Sequence, residues 1–325
     1  METRILGRTG RSVSVIGLGT WQIGGDWGEV GAGDALAILH AAAESGVSLF
    51  DTADVYGDGR SEQLIGQFLR DRPDADVFVA TKMGRRVEQL PQNYVLANFR
   101  EWTDRSRRNL GVDRLDLVQL HCPPTPVYSR DETYDALDTL VEDGRITNYG
   151  VSVETVAEAL TAIARPGVAT VQIILNAFRQ KPLEQALPAA ERAGVGILAR
   201  VPLASGLLSG RYRKDTRFAS NDHRSYNRHG EAFDVGETFA GVDFETGVEA
   251  AQEFAELSPE PAAARALRWI IDQPGVTSVI PGARNVDQVR RNAAAAELAP
   301  TDDAARRAVR DLYDRRIRPL VHDRW

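Results

Sequence analysis

The sequence predicts one α/β domain over residues 1–325: a (β/α)8 TIM barrel with an N-terminal β-hairpin, a long loop after its seventh strand and a C-terminal helix. Three observations predict it. Eight short apolar or β-branched runs alternate with segments of helical period, and the connections are short and marked by Gly or Pro, a rhythm that favours a closed barrel over an open doubly wound sheet. The length of 325 residues suits a barrel of about 250 residues with added loops. Three successive strands also end in an ionisable group: VSLFD in Asp51, VFVATK in Lys82 and LDLVQLH in His121. In such a barrel the strand ends converge on one rim, where chemistry is usually built.

In chain order, residues 4–15 alternate around the turn signal Arg8-Thr9-Gly10 and predict a hairpin. The first barrel strand, near 15–19, runs into the loop IGLGTWQIGG, whose glycines are spaced GxGxxxxGG and not as the GxGxxG dinucleotide fingerprint. Helix 34–45 then leads to strand 47–51, helix 61–70 to strand 77–82, and helix 93–110 to strand 115–121. Helix 131–143 leads to strand 146–151, helix 154–164 to strand 169–174, and helix 184–193 to strand 196–201. Residues 203–259 break the rhythm, include a polar stretch too long for an ordinary connection, and are expected to be one long loop. Helix 260–273, strand 276–280 and helix 285–296 complete the barrel, and the tail from 301 adds one amphipathic helix.

The formal charge of −7 argues against broad nucleic-acid binding, though a local basic patch can still receive a phosphate. No charged and apolar leader and no bilayer-length apolar run is visible, so no membrane association is expected. A lone cysteine, Cys122, permits no internal disulfide and fits a reducing, cytoplasmic setting. Lysine occurs only at 82, 181 and 214, which leaves 36 arginines among the 39 basic residues. A lysine at a strand end is therefore informative, because its compact ammonium is tunable in a way that a guanidinium is not.

Asp51, Lys82 and His121, with Tyr56 on the intervening loop, form a candidate proton-donating site. Each alone is equally consistent with a turn, a cap or a solvated rim charge; their coincidence at three adjacent strand ends points to chemistry. A tyrosine, titrating near 10, needs help to give a proton at neutral pH. An ammonium about 4 Å away, at an effective dielectric of about 20, is worth roughly 4 kcal/mol and is expected to lower the phenol's pKa. Asp51 would hold Lys82 in place, and a neutral His121 would be a further hydrogen-bond donor.

The segments GLGTWQIGG, FDTADVYGDGRSE, VFVATKMG, DLVQLHCPP, GRITNYGVS, PLASGLLSGRY and SVIPGARNVDQVRRN, in that order, resemble the aldo-keto reductases over roughly residues 4–296. The resemblance implies a barrel that reduces aldehydes or ketones with a nicotinamide cofactor, generally NADPH, and its Asp-Tyr-Lys-His tetrad falls on Asp51, Tyr56, Lys82 and His121. It implies that Ser152, Gln172 and Asn176 meet the nicotinamide carboxamide. Leu203, Ser205, Gly206, Leu207 and Gly210 would line the pyrophosphate and adenosine. Arg284, beside Gly282, would take the ribose 2′-phosphate, with Gln288 and Asn292 on the adenine. Independently of the resemblance, residues 284, 288 and 292 are spaced by four on one side of a helix whose N-terminus favours an anion. Trp21, Trp27, Met83, Cys122 and Tyr128 are expected substrate-pocket walls.

The chain departs from the family pattern at Val153, where relatives carry Asn, at Leu175, a common Tyr, and at Arg200, near a usual ring-stacking aromatic. Arg200 is expected to contact the cofactor or a polar substrate. Two other readings stay open: a Schiff-base aldolase using Lys82 as nucleophile, and a non-catalytic NADPH-binding regulatory subunit. No tyrosine has Lys four residues later, which sets aside short-chain dehydrogenase chemistry, and the histidines form no HExxH site, so no metal is expected. The physiological substrate and oligomeric state have no decodable signature.

Overall fold

The computed structural model describes residues 1–25 and 30–325. Thr3–Ile5 (β1) and Ser12–Ser14 (β2) pair antiparallel as the expected hairpin. The barrel strands are Leu18–Gly19 (β3), Leu49–Asp51 (β4), Phe78–Met83 (β5), Leu115–His121 (β6), Ile146–Ser152 (β7), Val168–Ile174 (β8), Gly196–Arg200 (β9) and Val276–Val279 (β10). Each pairs in parallel with the next. The sheet closes on itself where Gly17 N donates to Val279 O at 2.8 Å and Gly19 N to Pro281 O at 3.0 Å.

The helices before the long connection are Trp21–Gly24 (α1), Ala32–Glu44 (α2), Arg60–Asp71 (α3), Leu96–Leu110 (α4), Asp131–Glu142 (α5), Val156–Ile163 (α6) and Ala186–Ala193 (α7). Those after β9 are His223–Tyr226 (α8), Phe244–Glu256 (α9), Ala262–Ile271 (α10), Val286–Ala294 (α11), Asp303–Arg316 (α12) and Arg318–Val321 (α13). Two expectations need correction here. The stretch 203–259 is not one loop: α9 buries Val248, Ala251 and Phe254, and Asp243 caps it by accepting from the amides of Glu245 and Thr246, each at 3.1 Å. No strand follows α9, so the strand-helix rhythm concealed it. The tail forms two helices in place of one, divided at Ile317 just before Pro319.

The hairpin stoppers the N-terminal end of the barrel. Leu6 and Val13 pack inside it with Leu49, Phe78, Ala80, Leu117, Leu198 and Ile280. Contact is so close that a Cβ on Gly7 would lie 2.0 Å from the amide nitrogen of Gly196, and Gly7 has φ +49°. Arg8 secures the seal by donating to the carbonyls of Arg165, Pro166 and Val168, each at 2.8 Å.

That apolar plug fixes the direction of every second residue above it, because side chains alternate along a strand. Leu49 inward puts Asp51 inward. Phe78 and Ala80 put Lys82 inward, Leu117 puts Gln119 and His121 inward, and Leu198 puts Arg200 inward. The barrel interior thus changes from apolar at the hairpin to polar at the C-terminal rim.

Candidate active site

Asp51, Lys82 and His121 meet at that rim. The Lys82 Nζ donates to Asp51 Oδ1 at 2.6 Å, to the Thr52 carbonyl at 2.9 Å and to Tyr56 Oη at 3.4 Å. Tyr56 is half-buried on the loop between β4 and α3, and its ring lies edge-on to His121 with centroids 5.9 Å apart. The loop approaches α1 so closely that a Cβ on Gly57 would lie 1.8 Å from the carbonyl oxygen of Gly24. Asp51 Oδ2 accepts from Gln172 at 2.7 Å and from Gln119 at 3.4 Å, so both carboxylate oxygens are satisfied.

The electrostatics follow from this packing. Burial disfavours the Lys82 ammonium, but Asp51 and Tyr56 outweigh it and raise its pKa. With its three donors engaged and its charge secured, Lys82 lacks the neutral amine that a Schiff-base nucleophile requires. Burial holds His121 well below the ordinary imidazole value, with Arg85, Lys82 and Arg200 adding to the effect, so the ring is neutral. For Tyr56 burial also dominates: it raises the phenol above the ordinary tyrosine value, and Lys82 only partly opposes it. This corrects the expectation of a lowered phenol pKa. At neutral pH the phenol is therefore protonated, with the Lys82 ammonium beside its oxygen.

The tetrad opens into a cleft of about 310 Å³ walled by Trp21, Tyr56, His121, Ser152, Gln172, Arg200 and Glu237. It passes Leu203, Ser205 and Gly206 towards Gly282, Arg284 and Gln288. Leu203, Gly206, Gly282 and Gln288 also line a second cavity of about 590 Å³, bounded further out by Arg211, Tyr212, Arg291 and Asn292. Between the two, Val201, Ala204 and Ser205 adopt φ of 52°, 46° and 56°. Such left-handed backbone is costly and clusters where a chain clamps a ligand. Gly206 has φ +96°, and a Cβ there would lie 2.3 Å from Tyr212 Oη. A polar floor, a glycine-lined waist and an arginine-bearing far end fit an elongated anionic ligand of dinucleotide type.

Other expected residues are placed as follows. Asn285 caps α11 by accepting from Gln288 N at 2.9 Å, Gln288 Oε1 accepts from Arg284 N at 2.7 Å, and Asn292 donates to Gly282 O at 3.3 Å. Arg284 is about two-fifths exposed, 4.0 Å from Asp222. Leu207 packs in the core, and neither it nor Gly210 lines either cavity, because the turn Ala204–Ser209 directs them to α9 and α10. Met83 and Tyr128 likewise lie in the core and are not cleft walls: Met83 points away from the barrel axis, one residue past the inward Lys82, and the Tyr128 hydroxyl donates to Ser152 O at 2.8 Å. Asn176 is buried on the Val201 carbonyl, at 2.9 Å. Cys122 is held 3.3 Å from Ser152 Oγ, outside the cleft lining, with its thiol pushed up to about 12 by burial. Trp27 lies outside the described residues.

Arg200 lines the cleft, but its guanidinium is engaged by Glu154 at 2.8 Å and Glu237 at 3.3 Å. Arg85 reaches the same two carboxylates, each at 3.7 Å. Burial pushes Glu154 up to about 7. Burial also acts on Glu237, but the two guanidiniums prevail and hold it below the ordinary carboxylate value. Sequence reasoning missed Glu154, Glu237, Arg85 and Gln119. Gln119 was within reach, two residues before His121 on the same face; Glu237, on the segment after β9, carried no signal.

The Aldo/keto reductase family model matches residues 15–314. The chain is 30% identical to the aldo-keto reductase YhdN of Bacillus subtilis, with 89% of this chain and 87% of that protein covered. It is also 30% identical to a probable voltage-gated potassium channel subunit beta of Oryza sativa, with 92% of each covered. The structure of the glycerol dehydrogenase from Gluconobacter oxydans superposes with a TM-score of 0.79 at 32% identity, covering 97% of this chain and 95% of that one. An aldo/keto reductase from Klebsiella pneumoniae, solved with NADP and acetate, superposes with a TM-score of 0.71 at 25% identity, covering 96% and 95%. A match across nearly the whole chain, over a closed barrel with the tetrad at its C-terminal rim, leaves one assignment: the chain belongs to the aldo/keto reductase family.

Proposed function

We propose that this chain is an NADPH-dependent oxidoreductase that reduces aldehydes or ketones to alcohols, with Tyr56 as general acid. The observation that carries the reading is the buried lysine holding Asp51 Oδ1 at 2.6 Å and Tyr56 Oη at 3.4 Å, at one end of a cleft that runs on to Arg284 and Gln288. The solved relatives from Klebsiella pneumoniae, one with NADP and one with NADPH, support the choice of cofactor. NADPH, when bound there, would supply the hydride that the carbonyl carbon takes up. Tyr56 gives its phenolic proton to the carbonyl oxygen, and Lys82 stabilises the phenolate that remains. Asp51 fixes the ammonium against the strand, and neutral His121 donates to and orients the oxygen. An NADPH fluorescence titration paired with an aldehyde and ketone panel tests the reading; binding without NADPH oxidation on any member would sink the catalytic part.

We assign the 2′-phosphate to Arg284, which stands at the mouth of α11 with side-chain exposure of 39%. Hydrogen bonds to charged groups are worth about 1.5–3 kcal/mol, so Arg284→Ala is expected to weaken NADPH binding roughly 10- to 100-fold and leave NADH binding unchanged. Equal loss for both cofactors would remove that role.

Arg200 is assigned to the nicotinamide side of the cleft, its plane fixed by Glu154 and Glu237. Arg200→Ala is expected to shift both cofactor affinity and the preference among polar substrates. It also leaves the two buried carboxylates with Arg85 alone, 3.7 Å from each. Unchanged titrations and an unchanged substrate profile would rule the assignment out.

A further inference from the structure

Trp325 is outside the cleft, yet it is seated against the segment that supplies one cleft wall. It is buried, its Nε1 donates to Asp234 Oδ1 at 3.1 Å, and the Arg179 guanidinium lies over its ring at 3.9 Å. The segment is moulded around the indole: a Cβ on Gly236 would lie 2.7 Å from the ring, and one on Gly241 2.4 Å. Asp234 Oδ1 also accepts from Gly236 N at 2.7 Å and so caps the short turn Val235–Glu237. That turn ends in Glu237, whose carbonyl accepts from Ser205 Oγ at 2.8 Å and whose carboxylate meets Arg200 and Arg85. The other face of the clamp belongs to the barrel, since Arg179 donates to the carbonyl of Glu154 at 2.5 Å.

We propose that Trp325 is a positioning residue: by gripping Asp234, Gly236 and Gly241 against Arg179 it fixes Glu237 on Arg200 and Arg85 and so sets the substrate side of the cleft. An unanchored turn would let Glu237 leave, exposing Arg200 to the cleft with half its counter-charge. The kinetic consequence rests on the carbonyl-reductase reading; the structural one does not.

The test uses the full chain with Trp325→Ala and Trp325→Phe, followed by hydrogen exchange without added ligand and by kinetics with NADPH and DL-glyceraldehyde. In Trp325→Ala, amides 233–241 are expected to exchange about tenfold faster or more, while β4, β5 and β6 keep their protection. The KM for glyceraldehyde is expected to rise about five- to tenfold with kcat held within about twofold, the pattern of lost binding and not of lost chemistry. Trp325→Phe keeps a ring over Arg179 and is expected to recover most of both effects. Unchanged exchange at 233–241, or protection lost evenly across the barrel, would overturn the proposal. If the parent protein does not oxidise NADPH with glyceraldehyde, the reductase reading fails on that probe while the exchange result still decides the anchoring.

Discussion

Tyr56→Phe is expected to cut carbonyl turnover about 10²- to 10⁴-fold, the usual contribution of a general acid, while NADPH titrates with the parent affinity. The change deletes one oxygen from a half-buried ring. The ring itself contacts Trp21 at a centroid distance of 6.2 Å and His121 at 5.9 Å, contacts that phenylalanine keeps. Lys82 retains Asp51 and the Thr52 carbonyl, so the pocket stays charged-balanced and folded. A stopped-flow measurement of NADPH oxidation beside an equilibrium titration separates chemistry from binding. Turnover within a few-fold of the parent would mean that another group delivers the proton, and His121 would be the next residue to change.

Lys82→Met is expected to abolish turnover and also to destabilise the fold by about 3–5 kcal/mol, the cost of leaving one partner of a buried ion pair uncompensated. Asp51 is only 3% exposed and its remaining donors are the amides of Gln172 and Gln119, which cannot neutralise a carboxylate. The control is the double change Asp51→Asn with Lys82→Met. It removes both charges and is expected to recover most of the lost stability in a denaturant titration, yet none of the activity. Recovery of activity in the double variant would show that the lysine serves the fold and not the reaction. An intact Lys82→Met protein with parental stability would contradict the burial argument directly.

The two variants probe different things because Tyr56 and Lys82 are built differently. Lys82 sits on a strand, two residues above Ala80 in the apolar layer, so its direction is fixed by alternation and could be read from VFVATK. Tyr56 sits on a loop whose path depends on the close approach of Gly57 to Gly24, a contact between segments more than thirty residues apart. The sequence identified the tyrosine, but its 3.4 Å distance to the ammonium is a product of that packing. The sign of the phenol's pKa shift was lost for the same reason: a Coulomb estimate needs only a partner, whereas desolvation depends on everything that surrounds the ring.

Arg200 illustrates the same limit. Its place on a strand followed from the apolar run 196–201, and the expectation that it contacts cofactor or substrate followed from its departure from the family pattern. Its counter-charges did not. Glu154 is near a strand end and within reach of inspection, but Glu237 arrives from a segment with no period, and Trp325 holds that segment from some ninety residues away, as Asp234 and Trp325 are 91 apart.

By itself the sequence determined the alternation of strands and helices, the barrel they close into, and which side chains point to its axis at the rim, because period and parity are local properties of the chain. Only the tertiary structure decided what surrounds those side chains: the helix hidden in residues 244–256, the retreat of Tyr128 into the core, and the Glu237 wall. Burial, desolvation and ion pairing are sums over neighbours distant in sequence, and no stretch of residues carries them alone.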